Sequence, residues 1–326
     1  MIETIAELGE IEVLNRLKEF MDNGQIDDDT ALIKESNKKL LINTDLLVED
    51  VHFSSQTSSP EDIGWKAITT NLSDLAASGA HQFLYITVGL VAPPSTQWKW
   101  VEGVYKGMTV ALQKFGGKII GGDCSKGEQK IISITAIGTL GILRLHRSFA
   151  LPGDYLLTSG PHGLSKLGLE LLTSKDDKKL GKVQSSLKMQ AINAHQRPNP
   201  PIKALKKLEE CKPIHLPWRA AGTDSSDGLI EAIKGICTSS RCQAIIDPLS
   251  LPRPFEWPKG DQWDNWCLAG GEDYQLVVSL PEEWANAWLK TMPSAKKIGK
   301  IRKGNPQVYW ENGKAIKLSC QGFKHY

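Results

Sequence analysis

The stretch from Ile26 to Phe53, IDDDTALIKESNKKLLINTDLLVEDVHF, constrains the fold of this chain more than any other. Ala31-Leu32-Ile33 and Leu40-Leu41-Ile42 are apolar strand segments, and the polar Ser36-Asn37-Lys38 between them is turn chemistry, so the stretch predicts a β-hairpin. A turn centred on Asn37-Lys38 sets Ser36 opposite Lys39 and Thr30 opposite Asp45. Asp27, Asp28 and Asp29 then meet Thr44-Asp45 at one end of a sheet. Two carboxylates about 4 Å apart repel by roughly 4 kcal/mol at an effective dielectric of about 20, and a folded domain has only about 5 to 15 kcal/mol of net stability. A counter-ion relieves that repulsion. Several Asp and a Thr hydroxyl with no nearby His or Cys make a poor zinc site and suit Mg2+. The alternative is a solvated acidic loop, the usual fate of a short Asp run.

The chain has 326 residues, enough for two domains with separate cores. Charge is nearly balanced, with 39 Lys and Arg against 37 Asp and Glu, so no strong field calls for nucleic acid or an anionic membrane. No apolar run approaches a membrane span, and the acidic, amphipathic MIETIAELGEIEVLNRL is not a secretory signal. A cytoplasmic protein is expected. The six cysteines include no CxxC pair and read as buried, reduced thiols.

After the hairpin, SSPEDIGWKAITTNLSDLAASGA has good helix punctuation: Ser59 as cap, Pro60 in the first turn, Glu61 and Asp62 at the positive end of the dipole, Gly79 as terminator. Asn71 and Asp74 form a polar pair near its C-terminal end, where the dipole disfavours an anion, so Asp74 needs a cation. A strand (83–90) and a helix from about Thr96 to Phe115 follow. KII then leads into Gly121-Gly122-Asp123, which reads either as a common turn or as a close backbone approach to phosphate with a metal-holding Asp. The strand KIISITAIGTL comes next.

A boundary near 147 divides the chain into domains 1–147 and 148–326. Beyond it the expected elements are a strand at DYLLTSG, helices at 163–173, 202–210 and 228–240, and strands at about 220–225 and 242–247. WCLAGGEDYQLVVSL reads as a further strand and PEEWANAWLKTM as a helix, while 174–196 is either helical or mobile. The fold class is α/β (α+β) in two domains. GPHGLSKLG lacks the Gly before Lys that a Walker A loop needs, and no GxGxxG, HExxH or GxSxG is present, so a nucleotide is held another way. Thr223-Asp224-Ser225-Ser226-Asp227-Gly228 suits a metal or phosphate at a helix N-terminus, or Ser226 or Asp227 simply caps that helix. Gly270-Gly271-Glu272-Asp273-Tyr274 is a third acidic element.

Taken together, TDLLVEDVHF, GWKAITTNLSDLAASGA, IIGGD, SDGL and GGEDYQL, in this order, resemble the thiamine-monophosphate kinase family. Its superfamily includes aminoimidazole ribonucleotide synthetase and selenophosphate synthetase. The resemblance runs from about Ile26 to the terminal GFKHY. It implies an N-terminal α/β domain that dimerises through its sheet, a C-terminal α/β domain, and Mg2+-dependent transfer of the ATP γ-phosphoryl group to thiamine monophosphate. It places Asp29, Thr44, Asp45, Asp74, Asp123, Asp224 and Asp227 at metal positions. Gly122, Asp123, Arg147 and Ser226 fall at nucleotide positions, and His52, Glu272 and Phe323 at the thiamine monophosphate. No side chain is assigned as a dedicated base, because a phosphate monoester oxygen with a second pKa of about 6 is already ionised near neutrality. The chain departs from the family pattern at Asp27 and Asp50, both glycine positions, at Asn43, where some members have Ser, and at Phe149, again a glycine position. The competing readings are a superfamily enzyme with another acceptor and a non-catalytic nucleotide-binding regulator.

Overall fold

The computed structural model describes residues 31–35, 38–174 and 183–316. The expected site residues Asp29 and Phe323, with Asp27, Asp28 and Thr30, lie outside them. Strand β1 (Ala31–Glu35) pairs antiparallel with β2 (Lys38–Val48), Glu35 standing opposite Lys38 and Ala31 opposite Ile42. The hairpin is therefore as expected but its register is not. The ladder is shifted by two residues from the one that a turn centred on Asn37-Lys38 requires. The Ser36–Lys39 and Thr30–Asp45 pairings are incompatible with that ladder. A slip of two leaves the alternation of β2 as expected, with Asn43 buried and Thr44 exposed.

Helix α1 (Pro60–Ala77) has the punctuation read from the sequence. Ser59 Oγ accepts from Asp62 N at 3.2 Å while the Asp62 carboxylate accepts from Ser59 N at 3.3 Å, a reciprocal cap worth about 1 kcal/mol. At its other end Gly79 takes φ +96°, and a Cβ there would lie 2.0 Å from the Leu143 carbonyl oxygen. Then come β3 (Ala80–Ala92), α2 (Trp98–Phe115), β4 (Lys118–Lys126) and β5 (Ile131–Leu140). The first sheet runs β1-β2-β5-β3-β4. Only β3 and β4 are parallel, because the helical crossover α2 joins them. Ile63, Ile68, Leu72 and Leu75 of α1 and Val104 and Met108 of α2 pack on Leu41, Ile86, Ile132 and Ile134 of this sheet.

Gly121-Gly122-Asp123 is not a turn after a strand but the middle of β4, an exposed edge. A Cβ on Gly122 would sit 2.0 Å from the Val88 carbonyl oxygen, so the glycine permits the close β3–β4 approach.

The second sheet, β11-β8-β10-β6-β9-β7, is built from β6 (Tyr155–Thr158), β7 (Ala221–Thr223), β8 (Gln243–Ile246), β9 (Val277–Leu280), β10 (Lys296–Arg302) and β11 (Val308–Trp310). Its helices are α3 (Leu164–Thr173), α4 (Ser185–Gln196), α5 (Ile202–Glu210), α6 (Leu229–Ser240), α7 (Asp261–Ala269) and α8 (Glu282–Thr291). α7 was not expected. Its Trp266-Cys267-Leu268-Ala269 reads as strand from residue type, yet the helix buries Trp266 in one apolar cluster, with Leu167 and Trp257, and Cys267 and Leu268 in another, with Leu229 and Ile233. α6 is capped by Gly228 with no side-chain cap bond, so neither Ser226 nor Asp227 serves as its cap. Of the cysteines expected to be buried, Cys237, Cys242 and Cys267 are; Cys211 is half-buried and Cys124, on β4, is exposed. No described helix is long and apolar enough to cross a membrane.

α1 is the element the two sheets share. The segment between α4 and α5 is tied to α1 by Trp65, whose indole Nε1 donates to Pro198 O at 2.7 Å, and by the Arg197–Asp62 ion pair.

Candidate functional site

Three side chains of α1, at i, i+4 and i+7, meet the acidic loops of the second sheet along one stripe. The Lys66 ammonium pairs with Glu272 Oε1 at 2.5 Å and donates to His52 O at 3.1 Å. Thr70 Oγ1 lies 3.2 Å from the Tyr274 hydroxyl, and Ser73 Oγ donates to Asp224 Oδ2 at 2.6 Å. The loops are also tied to each other: Glu272 N donates to Ser226 O at 2.6 Å and Gln275 N to Ser225 Oγ at 3.0 Å. Glu272 and Tyr274 hold φ of +56° and +49°. For side chains of this size that backbone is strained, and such strain concentrates at functional sites.

The sheet supplies the other wall. Asn43 Nδ2 donates to Asp74 Oδ2 at 2.8 Å and to Asn71 Oδ1 at 3.2 Å. Asp74, buried at the negative end of the α1 dipole, thus has an amide donor from β2. Burial first, then the charges of Glu272, Asp224 and Asp45, raise the Tyr274 hydroxyl well above its ordinary pKa. Burial alone would raise the Glu272 carboxyl, but Lys66 and His195 outweigh it and hold it at about 2. Asp273 accepts from Gly163 N at 2.6 Å and Ser165 N at 3.1 Å at the start of α3, and burial still pushes it up to about 7.

Strand alternation separates the remaining expected residues. Asn43 and Asp45 face α1, whereas Thr44 points the other way, its Oγ1 2.8 Å from Thr135 Oγ1. Asp123 belongs to the row Leu46–Ser133–Gly89–Asp123, on the same open side as Thr44 and three strand spacings from β2, on the order of 14 Å. Arg147 lies in a 3-10 turn, its Nε donating to Thr223 Oγ1 at 3.1 Å and its side chain running past Gly235 of α6. Ser226 Oγ donates to Asp224 Oδ1 at 3.0 Å, and Asp227 is exposed beside it. His52 closes the turn after β2, its Nδ1 accepting from Val48 N at 3.1 Å. So the fold gathers Asp45, Asp74, Asp224, Ser226, His52 and Glu272 at the junction and leaves Thr44 and Asp123 on the sheet's other side.

The donor set fits a hard cation: carboxylate and amide oxygens with no thiolate or imidazole among the expected ligands. The buried Asn43 Oδ1, which accepts no hydrogen bond, adds an oxygen beside Asp74. Among the described residues no three carboxylate, His or Cys side chains already form a cage. Lys66, Thr70, Ser73 and Tyr274 were not anticipated. The signal for Lys66 was available, since a cation amid Ile63, Ala67 and Ile68 on a buried helix needs a partner.

Carboxylate and amide oxygens gathered between the two sheets are what a kinase-type enzyme needs to hold a cation against phosphates. Residues 27–140 match the family model described as AIR synthase related protein, N-terminal domain. The thiamine-monophosphate kinase of Prochlorococcus marinus is 59% identical over 99% of this chain and 98% of its own length, and that of Synechococcus elongatus 36% over the same shares. A solved structure described as AaThiL complexed with AMPPCP and TMP superposes with a TM-score of 0.86 at 29% identity, covering 100% of both chains. The chain belongs to the thiamine-monophosphate kinase family.

Proposed function

We propose that this chain transfers the γ-phosphoryl group of ATP to thiamine monophosphate, giving thiamine diphosphate and ADP. The observation that supports the reading is the docking of the 224–227 and 270–274 loops on α1 beside Asp45 and Asp74, with His52, Asp224 and Glu272 at the same junction. Both substrates are anions, and the reaction must press two phosphates together. Mg2+, when bound, neutralises that approach. Several ions are proposed: Asp45, Asp74, Asp224 and Asp227, with Asp29, are the residues proposed to hold Mg2+ at the junction, and Thr44 and Asp123, on the sheet's other side, to hold a further ion.

The protein's own task is positioning. Arg147 and Ser226, with Gly122 on the β4 edge, receive the nucleotide phosphates, Arg147 by its planar fork. His52 and Glu272 receive the acceptor, and Phe323 stacks on its flat cationic or pyrimidine ring. The acceptor phosphate is the nucleophile and, already ionised, needs no proton removed, so transfer is direct and in line. The glycine-bearing β4 edge is proposed to meet a second copy in a homodimer, with 1–147 and 148–326 as the domains and the cytosol as the compartment.

The test is incubation of the purified chain with ATP, Mg2+ and thiamine monophosphate, scored for thiamine diphosphate. Product is expected. Folded, ATP-binding protein that makes none overturns the reading, and product from free thiamine alone replaces it with a different kinase.

A further inference from the structure

Lys66 is 2% exposed, on a helix whose neighbouring positions are apolar, and its ammonium has two close partners. One is the backbone carbonyl of His52, at the end of the first domain's hairpin; the other is Glu272 of the second domain. The opposite side of the Glu272 carboxylate is fixed by His195 Nδ1 of α4, 3.4 Å from Oε2, and by Ser165 Oγ of α3 at 3.5 Å. A single buried cation therefore joins the two residues that the proposed reaction assigns to the acceptor, from opposite sides of the domain junction. Burying an ammonium and a carboxylate is costly unless geometry and hydrogen bonds compensate. Here the pair is placed between the two walls of a binding site, rather than within either core.

We infer that Lys66 is a positioning residue for the phosphate acceptor: it sets the distance between His52 and Glu272 and holds the Glu272 carboxylate aimed at the acceptor's cationic ring system. This rests on the acceptor being thiamine monophosphate. A thiazolium is a permanent, diffuse cation and an aminopyrimidine a neutral hydrogen-bonding ring. A carboxylate already charge-balanced by Lys66 orients such a ligand without trapping it as an unscreened anion would. Thr70 and Ser73, one and two turns further along the same stripe, dock Tyr274 and Asp224, so loss of Lys66 leaves the rest of the junction anchored. The acceptor end alone is released.

The experiment is steady-state kinetics on the full chain with Lys66→Gln and Lys66→Arg, with circular dichroism as a fold check. Lys66→Gln is expected to raise the KM for thiamine monophosphate by about tenfold or more while the KM for ATP stays within about threefold, and Lys66→Arg to recover part of that loss. Equal changes in both KM values, or none in folded protein, overturn the inference and leave Lys66 as a structural ion pair. Should Lys66→Gln fail to fold, Lys66→Arg decides by itself: a rise confined to the acceptor KM supports the inference, and an unchanged acceptor KM overturns it. Wild-type protein that makes no thiamine diphosphate sinks the reaction instead, a different result from normal acceptor kinetics in an active wild type.

Discussion

Asn43 Nδ2 donates to Asp74 Oδ2 at 2.8 Å, a bond from the second strand of the sheet to the last turn of the helix that covers it. It supplies a donor to a carboxylate that the helix dipole disfavours, and it leaves the Asn43 oxygen without a hydrogen-bond partner beside it. Asp74 is thus oriented by a neutral donor.

That arrangement predicts that Asp74→Asn folds normally and loses about a hundredfold or more in turnover, since it removes charge from the proposed metal site but keeps the shape. Asp123→Asn, on the exposed β4 edge, is expected to behave alike. Turnover at saturating Mg2+ together with a thermal melt checks both; near-wild-type turnover in either places the metal elsewhere.

Buried His162 donates from Nδ1 to Gly160 O at 3.2 Å, and burial lowers its pKa from 6.5 to about 3. The unfolded chain takes up this proton first as pH falls. The contribution of a neutral His162 is therefore complete above about pH 6.5 and is lost progressively between there and about pH 3, with a slope approaching about 1.4 kcal/mol per unit. His162→Gln should flatten the stability profile in that window. Parallel wild-type and variant profiles, from urea titrations at a series of pH values, would refute the assignment.

Asp50 stands where the family has glycine and takes φ +63°. Left-handed backbone costs a non-glycine residue about 1 to 2 kcal/mol, least for Asp and Asn. Asp50→Gly is expected to raise stability by about 0.5 kcal/mol after the extra entropy of the unfolded glycine is counted, and Asp50→Val to lower it by more than about 1 kcal/mol. Denaturant midpoints decide; a destabilised Asp50→Gly means that the Asp side chain makes a contact worth more than the strain.

Gly121 and Gly122 are adjacent and chemically the same, yet a Cβ on Gly122 meets Val88 O at 2.0 Å while one on Gly121 meets nothing within 4 Å. Gly122→Ala should lose about 1 to 3 kcal/mol and weaken ATP binding, whereas Gly121→Ala should stay within about 0.5 kcal/mol of wild type. Calorimetric unfolding and nucleotide titration read the difference, and equal effects of the two substitutions contradict it.

What the sequence made legible was local. The cap and terminator of α1 are short-range chemistry, and Ser59, Asp62 and Gly79 act as their types predict. The hairpin was readable too, but its register depends on which two residues make the turn, and the polar run 36–38 offered two choices. The GGD segment looked like a turn because glycine usually marks one; its place in β4 depends on Val88, distant in sequence, which requires a residue without a side chain. The stripe of Lys66, Thr70 and Ser73 was hidden for the same reason, since its partners Glu272, Tyr274 and Asp224 lie some 150 to 200 residues away. Thr44 and Asp45 are neighbours in the sequence, and strand alternation sends them to opposite faces.

α1 also acts as a gauge block. The three contacts that seat the second domain's loops span seven residues of one helix, a fixed rise of about 10.5 Å. Residue identities along that span can drift as long as each keeps a hydrogen-bonding group. Length cannot: one residue added between Lys66 and Ser73 would rotate everything beyond it by about 100° and unseat the loops together. Variation in this helix should therefore take the form of substitution and never of insertion or deletion.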